Sequence, residues 1–256
     1  MSKTLSALIE AHPDDALALG APGRDWMTYG GLRQQTIYVA DALHAFGVGR
    51  ADRVAIVLPN GPEMASVFFS VAQVATTAPL NPAYKEDEYA FYLEDLKAKA
   101  LIVASDYDGP AIPAAERIGI PLIRLEIDES KPAGAFELTA HATGGQADET
   151  APGETDIALI LHTSGTTSRP KIVPLSQSNV HASAQNIQGS LKLSKDDRCL
   201  NVMPLFHIHG LRAAVAATFS SGGQISCAPG FNALGFFSQL KEVEPTWYTA
   251  VPTMHQ

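Results

Sequence analysis

The apolar positions of this chain switch repeatedly between two periods. Leu32, Thr36, Val39, Ala40, Leu43 and Phe46 keep near-helical spacing, with Thr28 as a cap and Gly47 as a stop, which predicts a helix over 29–46. Val54 to Leu58 is a short apolar run of strand length, ended by Pro59-Asn60-Gly61-Pro62. The same alternation continues. It predicts helices over 62–75, 86–97 and 111–118, separated by strands over 76–80, 101–104 and 121–125. After residue 156 it resumes with a strand at 157–161, a helix at 177–190 capped by Ser176, and a strand at 198–203. A small-residue helix at 211–221, closed by Gly222, precedes a strand at 225–228. A helix at 233–243 capped by Asn232, a strand at 246–251 and a helix start at Pro252 complete the pattern.

Two stretches break this rhythm. Residues 1–27 offer only an amphipathic piece with Leu5, Leu8 and Ile9, then a polar turn at His12-Pro13-Asp14-Asp15. Residues 126–155 mix acidic side chains with Gly and Pro and read as a surface connector, with a local hairpin near Phe136 to Leu138. Strands alternating with helices of this length predict an α/β protein with layered αβα lobes and largely parallel sheets. In such sheets ligands bind at the carboxyl ends of the strands.

Composition narrows the function. With 256 residues and 46% hydrophobic content, the chain can bury a sizeable core. The formal charge is −9, and Lys and Arg never cluster, which argues against nucleic acid and anionic membrane as partners. No apolar run reaches membrane-spanning length. Met1-Ser2-Lys3-Thr4 opens neither a signal nor a transit peptide. Cys199 and Cys227 lack metal-ligand spacing and read as buried free thiols in the cytoplasm.

The chemistry concentrates after the strand at 157–161. Thr163, Ser164, Gly165, Thr166, Thr167 and Ser168 are small or hydroxylated, and Pro170 and Lys171 follow. Hydroxyls and free backbone N–H groups can converge on phosphate oxygens, and Lys171 adds a mobile cation. The same composition also makes a solvated connector, so the residue types alone leave both readings open. Other phosphate and hydrolase motifs fail. No second glycine stands between Gly165 and Lys171, as a Walker A loop requires, and Asp52 occupies the third glycine position after Gly47-Val48-Gly49. Neither a Gly-x-Ser-x-Gly elbow nor a His-Glu-x-x-His pair occurs. Further on, Phe206-His207-Ile208-His209 places two histidines around one residue. Without a third-ligand pattern this gives no metal site, and local capping or packing stays open for both rings.

The order Thr163-Ser164-Gly165-Thr166-Thr167-x-x-Pro170-Lys171 resembles the phosphate-binding loop of the adenylate-forming superfamily, which includes the acyl-CoA synthetases. Ser168 and Ile172 stand where glycine is usual there, which stiffens the loop. Met203-Pro204-Leu205-Phe206-His207-Ile208-His209-Gly210 resembles a second motif of that family, whose histidine borders the acyl and pantetheine channel. These stretches and Trp247 to Gln256 are similar to the oxalate-activating branch of the acid–CoA ligases, over a region from about Val54 to the end.

The resemblance implies a truncated N-terminal domain of the acyl-CoA synthetase fold. Residues 1–75 with 185–256 would form one incomplete lobe and 76–184 another, with the C-terminal domain absent. It implies ATP, Mg²⁺ and coenzyme A, with a small carboxylic acid, oxalate, as the substrate. Thr163, Ser164, Gly165, Thr166, Thr167 and Lys171 would bind the nucleotide's phosphates. Lys171 and His207 would serve catalysis, and His207 with His209 would face the acid's second carboxylate. Trp247 and His255 are weaker candidates, with core packing the rival role for Trp247. The adenine contacts, an acidic magnesium ligand and a catalytic lysine belong to the missing half, so the chain alone is expected to form no thioester. The alternatives are a ligase for medium-chain or aromatic acids, and a non-catalytic nucleotide-binding or interaction domain.

Overall fold

A computed structural model describes residues 2–140, 145–163 and 170–255. The strands are β1 (Leu17–Gly20), β2 (Met27–Thr28), β3 (Arg53–Val57), β4 (Thr76–Pro79), β5 (Ala100–Ala104) and β6 (Leu122–Glu126). They continue with β7 (Glu137–Ala140), β8 (Ile157–Thr163), β9 (Lys171–Ser176), β10 (Arg198–Asn201), β11 (Gln224–Cys227) and β12 (Trp247–Thr249). The α-helices are α1 (Tyr29–Ala45), α2 (Pro62–Val71), α3 (Glu86–Leu96), α4 (Ala111–Ile118), α5 (Gln177–Leu191), α6 (Ala217–Ser221) and α7 (Phe236–Val243).

The strands form two sheets. A seven-stranded sheet runs β7-β6-β5-β3-β4-β8-β9, and a five-stranded sheet runs β12-β10-β11-β1-β2. Pairing is parallel except at β6–β7, β8–β9 and β1–β2. The near-continuous burial of β3, β4 and β5 follows from having helices on both faces of a parallel sheet.

Alternation along the strands builds three cores. Val54, Ile56, Ile102 and Ile123 point to the same side as Leu19, Ile225 and Cys227 of the other sheet, and α2 lies in that cluster. All ten residues of α2 are buried, and Pro62 opens it where its missing N–H has no helical partner to serve. Ala55, Val57, Leu101 and Val103 face the opposite way, onto α3 and α4. Leu200, Val202 and Ala228 pack beneath α7. The result is a five-layer stack of helices and sheets with a shared middle layer.

Most predicted elements lie within a few residues of their expected bounds. Thr28 does cap α1, its hydroxyl accepting from Gly31 N–H at 3.1 Å, and Ser176 caps α5 through Asn179 N–H at 3.1 Å. Several features differ. Residues 17–28, for which no element was expected, hold β1 and β2, because β1 finds a parallel partner in β11 far along the chain. The expected helix over 211–221 is widened at its start into a π-helical segment, His209–Ala216, where Ala217 N–H reaches the Arg212 carbonyl. α7 begins after residue 235 because the Asn232 side chain caps the preceding turn, accepting from Leu234 N–H at 3.0 Å.

Sheet membership follows a different line from the expected lobes. β3, expected with residues 1–75, pairs with β4 and β5 in the middle of the seven-stranded sheet. Among the described residues, no helix is long and apolar enough to cross a membrane.

Candidate functional site

The two sheets present the carboxyl ends of three strands to one cleft of about 440 Å³. Pro79, Leu80 and Asn81 come from the end of β4, and Leu161, His162 and Thr163 from the end of β8. Phe206, His207 and Ile208 come from the turn after β10. In the seven-stranded sheet β3 and β4 lie side by side while β5 returns to the other side of β3, so the cleft borders a topological switch point.

β8 and β9 form the root of the polar loop. Thr163, the last residue of β8, stands opposite Lys171, the first of β9, in an antiparallel ladder that runs back to Ile157 and Ser176. Both Thr163 and Lys171 are exposed. The ladder therefore holds a hydroxyl and an ammonium-bearing chain side by side where the loop leaves the sheet. Ser164, Gly165, Thr166 and Thr167 lie outside the described residues. Thr163 lines the cleft directly, and Lys171 flanks it from the neighbouring strand.

The histidine turn is held from below by two asparagines. Asn201, fully buried at the end of β10, brackets Met203: its Oδ1 accepts from Met203 N–H at 3.2 Å and its Nδ2 donates to the Met203 carbonyl at 3.1 Å. Asn60, just past β3, reaches across from the other sheet. Its Oδ1 accepts from Leu205 N–H and its Nδ2 donates to the Ala228 carbonyl, both at 2.8 Å. One amide thus joins the ends of β3 and β11 to the turn. Gly210 closes the turn because a Cβ there would stand 2.7 Å from the Pro204 carbonyl oxygen.

The two histidines of this turn have different surroundings. His207 is exposed into the cleft, with its ring 4.3 Å from that of Phe206. His209 turns toward β12, where its Nε2 shares a 2.6 Å hydrogen bond with Thr249 Oγ1, and it does not line the cleft. The structure therefore brings Thr163 and His207 to one space and sets His209 behind the turn. Trp247 packs against the main core, and His255 lies beside the Tyr248 ring at 5.7 Å; neither lines the cleft.

The opposite wall was not foreseen as functional. Tyr84 stacks on Tyr92 at 4.7 Å with a 17° interplanar angle, and Tyr92 meets His162 edge-on at 4.6 Å. His162 Nε2–H donates to Asp95 Oδ2 at 3.2 Å. Burial lowers the pKa of His162, and the Asp95 carboxylate partly opposes that shift. A histidine in an apolar strand was a visible signal, since such a ring needs a partner when buried.

Comparison with known proteins is consistent from several sides. The sequence profile described as AMP-binding enzyme matches residues 6–256. The oxalate–CoA ligase of Arabidopsis thaliana is 37% identical over 100% of this chain and 51% of its own length. The oxalate–CoA ligase of Saccharomyces cerevisiae is 35% identical over 86% of this chain and 45% of its own length. Among solved structures, ATP-bound MatB from Rhodopseudomonas palustris superposes with a TM-score of 0.81 at 25% identity, over 99% of this chain and 50% of that one. The chain spans about half the length of the curated relatives it matches.

Proposed function

The chain belongs to the family of AMP-binding enzymes, and on that premise we propose that it forms the phosphate- and acid-facing half of an ATP-dependent acid–CoA ligase. In the first step an acid's carboxylate attacks the α-phosphorus of ATP, giving an acyl-adenylate and pyrophosphate. In the second, the thiol of coenzyme A attacks the acyl carbon and AMP leaves. No protein nucleophile is needed, so the residues act by positioning and by stabilising charge. The observation that supports this reading most is the meeting of Thr163, at the root of the phosphate loop, and His207 in one cleft.

Thr163, with Ser164, Gly165, Thr166 and Thr167, donates to the β- and γ-phosphates. Lys171, opposite Thr163 in the ladder, neutralises charge on the departing pyrophosphate. Magnesium bound with the nucleotide would supply positive charge that offsets the polyphosphate beside Thr163 and Lys171. An exposed hydroxyl beside an ammonium group suits a metal-bound polyphosphate, and no described side chain is assigned to the ion. His207 faces the acid. The resemblance to oxalate–CoA ligases supports oxalate, whose second carboxylate requires a polar partner once the first is activated. His209 supports the turn through Thr249. The buried thiols of Cys199 and Cys227 suit a cytoplasmic enzyme.

Calorimetric titration of the 256-residue chain with Mg-ATP tests the phosphate assignment. Saturable, magnesium-dependent binding is expected, weakened about tenfold or more in Lys171→Met, which removes one charge-assisted contact. Absence of magnesium-dependent binding in the unaltered chain refutes the assignment. In the complete enzyme, pyrophosphate release with oxalate should exceed that with medium-chain or aromatic acids. The reverse order refutes the substrate.

A further inference from the structure

The wall opposite the histidine turn carries a hydrogen-bonded His162–Asp95 pair that the proposed reaction does not use. Along β8, Leu159 and Leu161 enter the main core, while Ile160 packs with the layer that contains α3. His162 also faces α3, meeting Tyr92 and Asp95 there. Its side chain is only 5% exposed, against 38% for Asp95. A leucine or isoleucine at this position would fill the space without taking a titratable ring out of water. What hydrocarbon cannot supply is direction. A ring hydrogen-bonded to one carboxylate and held edge-on by Tyr92 fixes the rotation of the strand end, and the next residue is Thr163. Tyr92 is held in turn by its stack on Tyr84, whose backbone N–H donates to the Asn81 carbonyl at 3.1 Å. Asn81, Tyr84, Tyr92, His162 and Thr163 all line the cleft.

We propose that Asp95 and His162, backed by Tyr92 and Tyr84, are positioning residues that clamp the end of β8 and so set the direction of Thr163 for the nucleotide's phosphates. The clamp rests on the phosphate-binding reading above. It acts on the strand end and touches no reacting atom. Asp95 supplies the acceptor that selects the Nε2–H tautomer of His162, so a hydrogen-bond acceptor is required and shape alone is insufficient.

The test uses the 256-residue chain with Asp95→Ala, Asp95→Glu and His162→Phe. Two readouts are taken: hydrogen exchange of the peptide spanning residues 158–175, and the dissociation constant for Mg-ATP. Asp95→Ala and His162→Phe should speed exchange at this peptide several-fold and raise the dissociation constant about tenfold. Their melting temperatures should stay within a few degrees of the unaltered chain. Asp95→Glu should recover most of both losses. Unchanged exchange in Asp95→Ala and His162→Phe overturns the clamp. So does faster exchange with unchanged Mg-ATP affinity, or a general loss of stability that glutamate does not restore. If the unaltered chain binds no Mg-ATP, the phosphate reading itself fails and takes the clamp's role with it; that outcome is read from the unaltered chain, not from differences among variants.

Discussion

Asn60→Leu should unlatch the histidine turn from both sheets. Leucine has the same branching and the same number of side-chain heavy atoms as asparagine, so the change removes hydrogen bonds without truncating the side chain. Two bonds of 2.8 Å disappear, one to Leu205 N–H and one to the Ala228 carbonyl. Leu205 is 1% exposed and Ala228 is 0% exposed, so water cannot replace either partner without opening the structure. A buried polar group left unpaired costs about 1–3 kcal/mol, which gives about 2–6 kcal/mol for the pair. For a chain of this size each kcal/mol lowers the melting temperature by roughly 2–4 °C. Thermal unfolding followed by circular dichroism should therefore show a drop of about 4–24 °C. Hydrogen exchange should report faster exchange at the Leu205 amide, and Asn60→Asp, which keeps the acceptor for that amide, should protect it better than leucine does. A melting temperature within about 2 °C of the unaltered chain, with Leu205 still protected, would refute the idea that one amide ties the turn to the sheets.

Other perturbations separate further roles. His209→Ala should destabilise the chain by about 1 kcal/mol by leaving Thr249 Oγ1 without its partner, whereas His207→Ala, exposed to the cleft, should leave unfolding in urea nearly unchanged; equal losses would contradict the division between the two histidines. His162 and His181 are both held below their ordinary value of 6.5, chiefly by burial. For each, the unfolded chain binds more protons than the folded one in the window from about pH 6.5 down to the lowered value. Stability should therefore be fully present above about pH 6.5 and fall as pH drops through that window, by up to about 1.4 kcal/mol per pH unit for each group. Urea unfolding at pH 7.5 and pH 5.5 measures this, and a stability that rises on acidification would rule out the assignment.

Much of the fold was legible because the helix and strand periods are local signals. α1, α3 and β3 could be placed from residues that each contact near neighbours in sequence. What the sequence hid was pairing. β1 is only Leu-Ala-Leu-Gly and becomes a strand because β11 lies beside it, a partner that no local window contains. β9 was not among the expected strands, yet it runs back along β8 and sets Lys171 opposite Thr163. β3 looked like part of the first lobe by position, but its place in the sheet is decided by β4 and β5.

The candidate site divides along the same line. Thr163, Lys171 and His207 were legible because their motifs are contiguous, and contiguous residues keep their order in any fold. Asn60, Asp95 and Tyr84 were not, since each acts on a residue far from it in sequence: Asn60 on Leu205, Asp95 on His162, and Tyr84 through Tyr92 on the end of β8. In the sequence Asn60 is a turn residue between Pro59 and Gly61, and nothing local distinguishes a turn asparagine facing water from one holding a second strand's turn. The same holds for the histidines. His207 and His209 flank one residue and were expected to share a task, but the turn leading into the π-helical segment sends one ring into the cleft and the other to Thr249. In sequence the two are near-equivalent; the backbone path of residues 204–210, fixed by Asn60, Asn201 and Gly210, makes them chemically different. On the proposed reading, a carboxylate in the cleft would therefore meet His207 first, and His209 would influence it only through the position of the turn.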